Sequence, residues 1–194
     1  MEKKTQRIIE VLKESVAVKE AYLSDPANVE LLLQVVDHAI SVFRKGGKIL
    51  FCGNGGSAAD AQHIAAELSG RFYANRPPLF AEALHVNSSF LTAVSNDYGY
   101  EEAFARLVEA MGREGDLLFA LSTSGNSPNI LRAAERARAL GMTVTGMTGR
   151  GGGQLKGLCD FCLEVPSNDT PRIQEVHITI GHILCELVEK EMFG

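Results

Sequence analysis

The sequence predicts an α/β fold: a three-layer α/β/α sandwich with a five-stranded parallel sheet, preceded by an N-terminal helical hairpin. Three observations carry this. Five short apolar runs recur along the 194 residues, each bounded by turn residues. Helical patterns separate successive runs. The runs are continuously apolar, as strands covered on both faces are, and such strands belong to parallel sheets.

The elements follow in order. Residues 3–22 read as an amphipathic helix with Ile8, Leu12, Val16 and Ala17 on one stripe. Asp25-Pro26 starts a second helix, a cap followed by proline at the first helical position. That helix turns Leu32, Val35, Val36, Ala39, Ile40 and Phe43 inward, reaches about Arg44 and stops at Gly46-Gly47. Two helices before the first strand are unusual in a nucleotide-binding domain. The hairpin, residues 1–46, is expected to pack against a partner subunit.

The first strand, Ile49–Cys52, stops at Gly53-Asn54-Gly55-Gly56. Ser57 and Asp60 have the spacing of a capping box, and a helical pattern begins there. Phe80–Val86 is the second strand; a helix follows from about Ser88 to Asp97, Tyr98-Gly99-Tyr100 breaks it, and Glu101–Met111 is helical again. The third strand, Asp116–Leu121, runs into Ser122-Thr123-Ser124-Gly125-Asn126-Ser127-Pro128. Ser127 caps the next helix, Pro128 is its first residue and Gly141 ends it. Met142–Met147 is the fourth strand, residues 148–153 a glycine-rich flexible loop, and Phe161–Val165 the fifth strand. The last helix starts at Thr170-Pro171. No linker or repeat divides the chain, so residues 1–194 read as one domain.

Net charge is −5, with no basic cluster, which argues against nucleic acid as the main ligand. No apolar run approaches the ~18 residues of a membrane span. The charged N-terminus lacks the apolar core of a secretory signal. Four cysteines (Cys52, Cys159, Cys162, Cys185) fit a reduced, cytoplasmic protein. Cys159-x-x-Cys162 has no second pair to complete a metal site and reads as two small hydrophobes at the start of a strand.

Two loops carry chemistry, both at carboxyl ends of strands, where ligands of such sheets bind. Strand, glycine turn and helix N-terminus at 48–57 form a ready anion site, because free N–H groups and the positive end of the helix dipole point at one spot. Gly53-x-Gly55-x-x-Ala58 only partly matches a dinucleotide fingerprint, and the acid expected after the next strand is missing. The Ser122–Ser127 loop has four hydroxyls where a cap needs one, as many donors as a phosphate can use. His63 and Glu67 lie four apart on one helix face, beside the buried positions Ile64, Leu68 and Phe72. In the last helix Gln174, Ile178 and His182 repeat every four residues, while His177 points about 140° away from His182.

Together, Gly53-Asn-Gly-Gly-Ser57, Ser122-Thr-Ser-Gly-Asn-Ser127 and Arg172-Ile-Gln-Glu175 resemble the flavodoxin-like sugar isomerase (SIS) family over essentially the whole chain. Within it they look most like the phosphoheptose isomerases, with His63-x-x-x-Glu67, Gln174 and His182 as the distinguishing set. The resemblance implies an aldose–ketose isomerase acting on sedoheptulose 7-phosphate through an enediol, in bacterial heptose synthesis. It implies Glu67 as base and His182 as acid/base. It implies phosphate contacts from Ser122, Thr123, Ser124 and Ser127. It implies sugar contacts from Asn54, Gly55, Gly56, Ser57, Asn96 and Asp97, with Gln174 touching substrate and metal. Some similar proteins hold zinc on residues matching His63, Glu67, Gln174 and His182. Family members are homotetramers with shared active sites, a use for the hairpin. Two alternatives come from the same fold: a non-catalytic scaffold binding the replication initiator, whose kind lacks the glutamate and the C-terminal histidine, and a sugar-phosphate sensor, which carries a DNA-binding domain.

Overall fold

The computed structural model describes residues 2–194. Five parallel strands lie in the order β2-β1-β3-β4-β5: β1 Ile49–Gly53, β2 Ala81–Ala83, β3 Leu117–Ser122, β4 Thr143–Thr148 and β5 Phe161–Glu164. The helices are α1 Glu2–Leu23, α2 Pro26–Arg44, α3 Gly56–Ser69, α4 Ser88–Tyr98, α5 Ala103–Met111, α6 Pro128–Ala139 and α7 Thr170–Phe193. Tyr100–Glu102 and Gln154–Leu158 are short 3-10 helices.

The continuously apolar strands bury alternate residues in two cores. Ile49, Phe51, Leu117, Phe119, Leu121, Met147 and Leu163 meet residues of α2, α3 and α7 on one face. Leu50, Cys52, Leu118, Ala120 and Val144 meet α5 and α6 on the other. The chain runs from β1 outward to β2, then returns past β1 to β3. That reversal makes the carboxyl ends of β1 and β3 the switch point where ligands of doubly wound sheets bind.

The second helix begins as expected: Asp25 accepts from the Ala27 N–H at 3.0 Å and Pro26 is its first residue. The second strand is shorter than expected. It is an edge strand whose first expected residue, Phe80, is exposed, although Ile49 N–H still donates to Phe80 O. The stripe on α1 faces outward, with Ile8, Leu12 and Val16 exposed; only Tyr22 of that helix is buried. An apolar groove of about 430 Å³ runs between α1, α2 and α7, lined by Leu23, Leu32, Leu33, Ile180, Ile183 and Leu187 among others. The glycine-rich loop is packed rather than free: a Cβ on Gly125 would lie 2.0 Å from Gly152 O, and Leu155 N–H donates to Gly125 O.

One glycine sets how near α3 comes to α7. A Cβ on Gly181 would lie 2.4 Å from Ile64 Cδ1 and 2.5 Å from Cγ1. In Gly181→Ala, the gain in helix propensity is at most ~1 kcal/mol. Overpacking costs ~1–3 kcal/mol. Overpacking wins, because Ile64 is itself fully enclosed. Urea unfolding should therefore show a net loss of stability; a variant as stable as the parent would mean that the two helices part without cost.

Candidate active site

The first loop is shaped by glycine. Gly53 has no room for a side chain, since a Cβ there would sit 2.5 Å from Ser57 O, and Gly55 takes φ +55°. The expected capping box does not form. The helix starts at Gly56 with Gly55 in the cap position and no side-chain cap bond, and Ser57 is buried inside the first turn. The tight turn at 53–55 overrides the local Ser-x-x-Asp signal. A Cβ on Gly56 would meet the Gln174 amide at 2.6 Å, so Gln174 of α7 lies against this loop.

Asn54 ties the two loops together. Its amide pairs reciprocally with that of Asn129, at 2.9 and 2.8 Å, and its Oδ1 accepts from the Tyr100 hydroxyl at 2.8 Å. An open depression of about 360 Å³ lies between them, lined by Asn54, Tyr100, Ser127 and Asn129 among others. In the serine loop, Ser127 holds the cap position of α6, but its hydroxyl turns to Ser122 Oγ at 3.0 Å instead of capping. Ser124 Oγ accepts from Asn126 N–H at 3.2 Å, and Asn126 Oδ1 accepts from Gln154 N–H. Asn96 and Asp97 sit in the last turn of α4, exposed and bonded to one another at 2.9 Å. Among the described residues no hydrogen bond or ion pair joins either of them to the other expected site residues.

His63, Glu67 and His182 do come together. Glu67 Oε1 lies 3.0 Å from His63 Nε2 and 3.7 Å from His182 Nε2. The two imidazoles meet edge to face, centroids 5.2 Å apart, and Phe72 stacks on His182 at 6.0 Å. The histidines are partly open to solvent while Glu67 is largely covered, and Glu67 Oε2 is buried with no partner. Cys185 lies beneath; burial first, and the Glu67 carboxylate second, push its thiol pKa up. The one side-chain cluster with metal-ligand geometry among the described residues is this trio, its ligand atoms within 4.8 Å of one another. A tetrahedral ion ~2.1 Å from each ligand spaces its ligands ~3.4 Å apart, a spacing bracketed by the 3.0 and 3.7 Å from Glu67 to the two histidines, so the trio could hold a metal ion.

Asp60, which the sequence pattern marks only as a cap, lies close enough to His63 and His182 to feel their charge. Burial raises its pKa to about 6, with His63 and His182 pulling it back down, and its Oδ2 is unpartnered. Its place one turn before His63, on the helix that carries Glu67, was the available signal. Asn129 and Tyr100 gave none. Elsewhere, Arg172 and Glu175 form an ion pair, and Arg172 also reaches Glu14 of α1, so this part of the motif braces helices. Cys159 and Cys162 are free thiols, the former packed against Gly146.

This architecture and these two loops define a SIS domain, and the SIS domain model matches residues 18–149. The chain is 53% identical over 182 residues to a phosphoheptose isomerase of Aneurinibacillus thermoaerophilus, covering 94% of this chain and 92% of that protein. It is 54% identical over 185 residues to one from Mycobacterium bovis, covering 95% and 94%. The solved phosphoheptose isomerase of Neisseria gonorrhoeae superposes with a TM-score of 0.90 at 40% identity, over 96% of this chain and 98% of that one. That of Francisella tularensis gives 0.91 at 38%, over 96% and 98%. The chain belongs to the phosphoheptose isomerase family.

Proposed function

We propose that the protein interconverts sedoheptulose 7-phosphate and D-glycero-D-manno-heptose 7-phosphate, an aldose–ketose isomerisation in bacterial heptose synthesis. The observation that carries this is Glu67, a covered carboxylate set against His63 and His182, on the helix that begins at the first of the two donor-rich loops. Glu67 takes the proton from C1 of the ketose and returns it to C2, giving the aldose through an enediol. His182 moves the proton between the two oxygens. The hydroxyls of Ser122, Thr123, Ser124 and Ser127 hold the phosphate at the N-terminus of α6, where the helix dipole favours an anion. Asn54, Gly55, Gly56, Ser57, Asn96, Asp97 and Gln174 contact the sugar.

The trio and Gln174 would hold one zinc ion, which polarises the substrate oxygens when bound. Its presence is tested by elemental analysis of protein purified without added metal. About one zinc per chain is expected, falling in His63→Ala; metal-free protein would overturn the assignment. The outward stripe on α1 and the apolar groove beside it support a homo-oligomer, a tetramer, that covers them. Among the described residues no helix is long and apolar enough to cross a membrane, which is compatible with a cytoplasmic enzyme. A scaffold or sensor role is not favoured, since the chain keeps both Glu67 and His182. The reaction is tested by incubating the protein with sedoheptulose 7-phosphate and identifying the product; no aldose formed would overturn this reading.

A further inference from the structure

Glu67 lies in the last turn of α3, whose last carbonyls need partners. Gly70 N–H takes Ala66 O. Two more, Glu67 O and Leu68 O, are met by one buried side chain from the following loop, and Leu68 O also accepts from Leu79 N–H. Arg76 donates from Nη2 to Glu67 O at 2.8 Å, and from Nη1 to Leu68 O at 2.7 Å and Pro77 O at 3.1 Å. Its charge also sits at the negative end of the α3 dipole. The guanidinium spends its remaining direction on Glu189 of α7, Nε to Oε2 at 3.0 Å, and both side chains are almost wholly buried.

Glu189 lies seven residues after His182, two turns along the same helix, so both face α3. Its carboxylate also accepts from the N–H groups of Phe72 at 3.1 Å, Tyr73 at 2.8 Å and Ala74 at 2.6 Å. Phe72, held in this way, is the ring stacked on His182. Two routes thus run from the pair to the reacting groups: through Arg76 to the backbone of Glu67, and through Glu189 and Phe72 to the imidazole of His182.

We propose that Arg76 and Glu189 are positioning residues that set the distance between Glu67 and His182 by locking the end of α3 to α7. The proposal rests on the assignment of Glu67 and His182 to the isomerisation. Neither Arg76 nor Glu189 touches substrate; they act on kcat through the placement of others. A shift of about 1 Å in a reacting group can cost ~10²-fold in rate. Arg76→Lys keeps the charge but loses the planar fork that reaches α3 and Glu189 at once. Glu189→Gln keeps the shape but replaces one accepting oxygen with a donor.

Each variant is checked for folding by far-UV circular dichroism, then assayed with sedoheptulose 7-phosphate. The ring signals of His182 are followed by NMR. Both variants are expected to fold, to lose ~10- to 100-fold in kcat with KM within about twofold, and to shift the His182 signals. Arg44→Ala, at the exposed Arg44–Glu191 pair near the end of the same helix, is expected to change none of these. Parental kcat and unmoved His182 signals in folded Arg76→Lys and Glu189→Gln would overturn the proposal. So would a loss of activity that only tracks the fraction of protein unfolded. If the parent itself fails to turn over the substrate, the assigned reaction is what fails, and the His182 signals still decide whether the pair positions that ring.

Discussion

Glu67→Gln is expected to lower kcat by ~10²–10⁴-fold and to leave the fold intact. Glutamine has the size and shape of glutamate but accepts no proton from carbon at neutral pH. Stability is the control. Glu67 is largely covered, and its Oε1 contact with His63 is one that a glutamine oxygen can keep. Thermal unfolding of the variant should therefore occur near the parental temperature. A variant that turns over sedoheptulose 7-phosphate at the parental rate would remove Glu67 from the role of base. A variant that lost activity together with its folded structure would say nothing special about the carboxylate, and the measured unfolding temperature separates the two.

The sheet was legible because buried parallel strands write themselves as unbroken apolar runs; each of β1, β3, β4 and β5 starts or ends within a residue or two of its run. Helix α2 was legible from Asp25-Pro26, a cap that works locally. The face bearing His63 and Glu67 was legible from helical spacing alone. Signals failed where a long-range contact decides. Ser57 and Asp60 carry a capping pattern, but the approach of Gly53 to Ser57 O starts the helix elsewhere. The Asn54–Asn129 amide pair joins residues 75 apart and the Arg76–Glu189 pair residues 113 apart. No periodicity marks such pairs, because a tertiary contact between polar side chains has no spacing along the chain. Even His182 reached its place beside Glu67 only through Gly181, whose missing side chain lets α3 and α7 approach.

His177 should make the protein lose stability as pH falls from 6.5 toward 4. It lies on α7, fully buried, with Nε2 3.1 Å from Thr148 O at the end of β4. Donating to that carbonyl puts the proton on Nε2, which leaves Nδ1 bare, buried and without a partner. A second proton would place a charge there with nothing to receive it, so burial depresses the pKa from 6.5 to about 4, against a small opposing pull from the Thr148 carbonyl. The unfolded chain then binds more protons than the folded one between those values. The contribution is fully present above pH 6.5 and lost as pH drops below it. The loss amounts to about 3 kcal/mol once the pH is below about 4. His38 and His85 shift in the same direction through burial. Asp60, raised to about 6, works in the opposite sense: its neutral form is favoured in the fold, so it adds stability as pH falls. The raw pH curve of the parent therefore mixes opposing terms and is no test of His177. The difference between parent and His177→Gln is the test, because glutamine can still donate to Thr148 O and does not titrate. Urea unfolding at pH 7.5 and pH 4.5 should show the parent losing more stability than the variant, by ~2 kcal/mol over that interval. Equal losses in the two proteins would mean that His177 takes up its proton inside the fold as readily as in water.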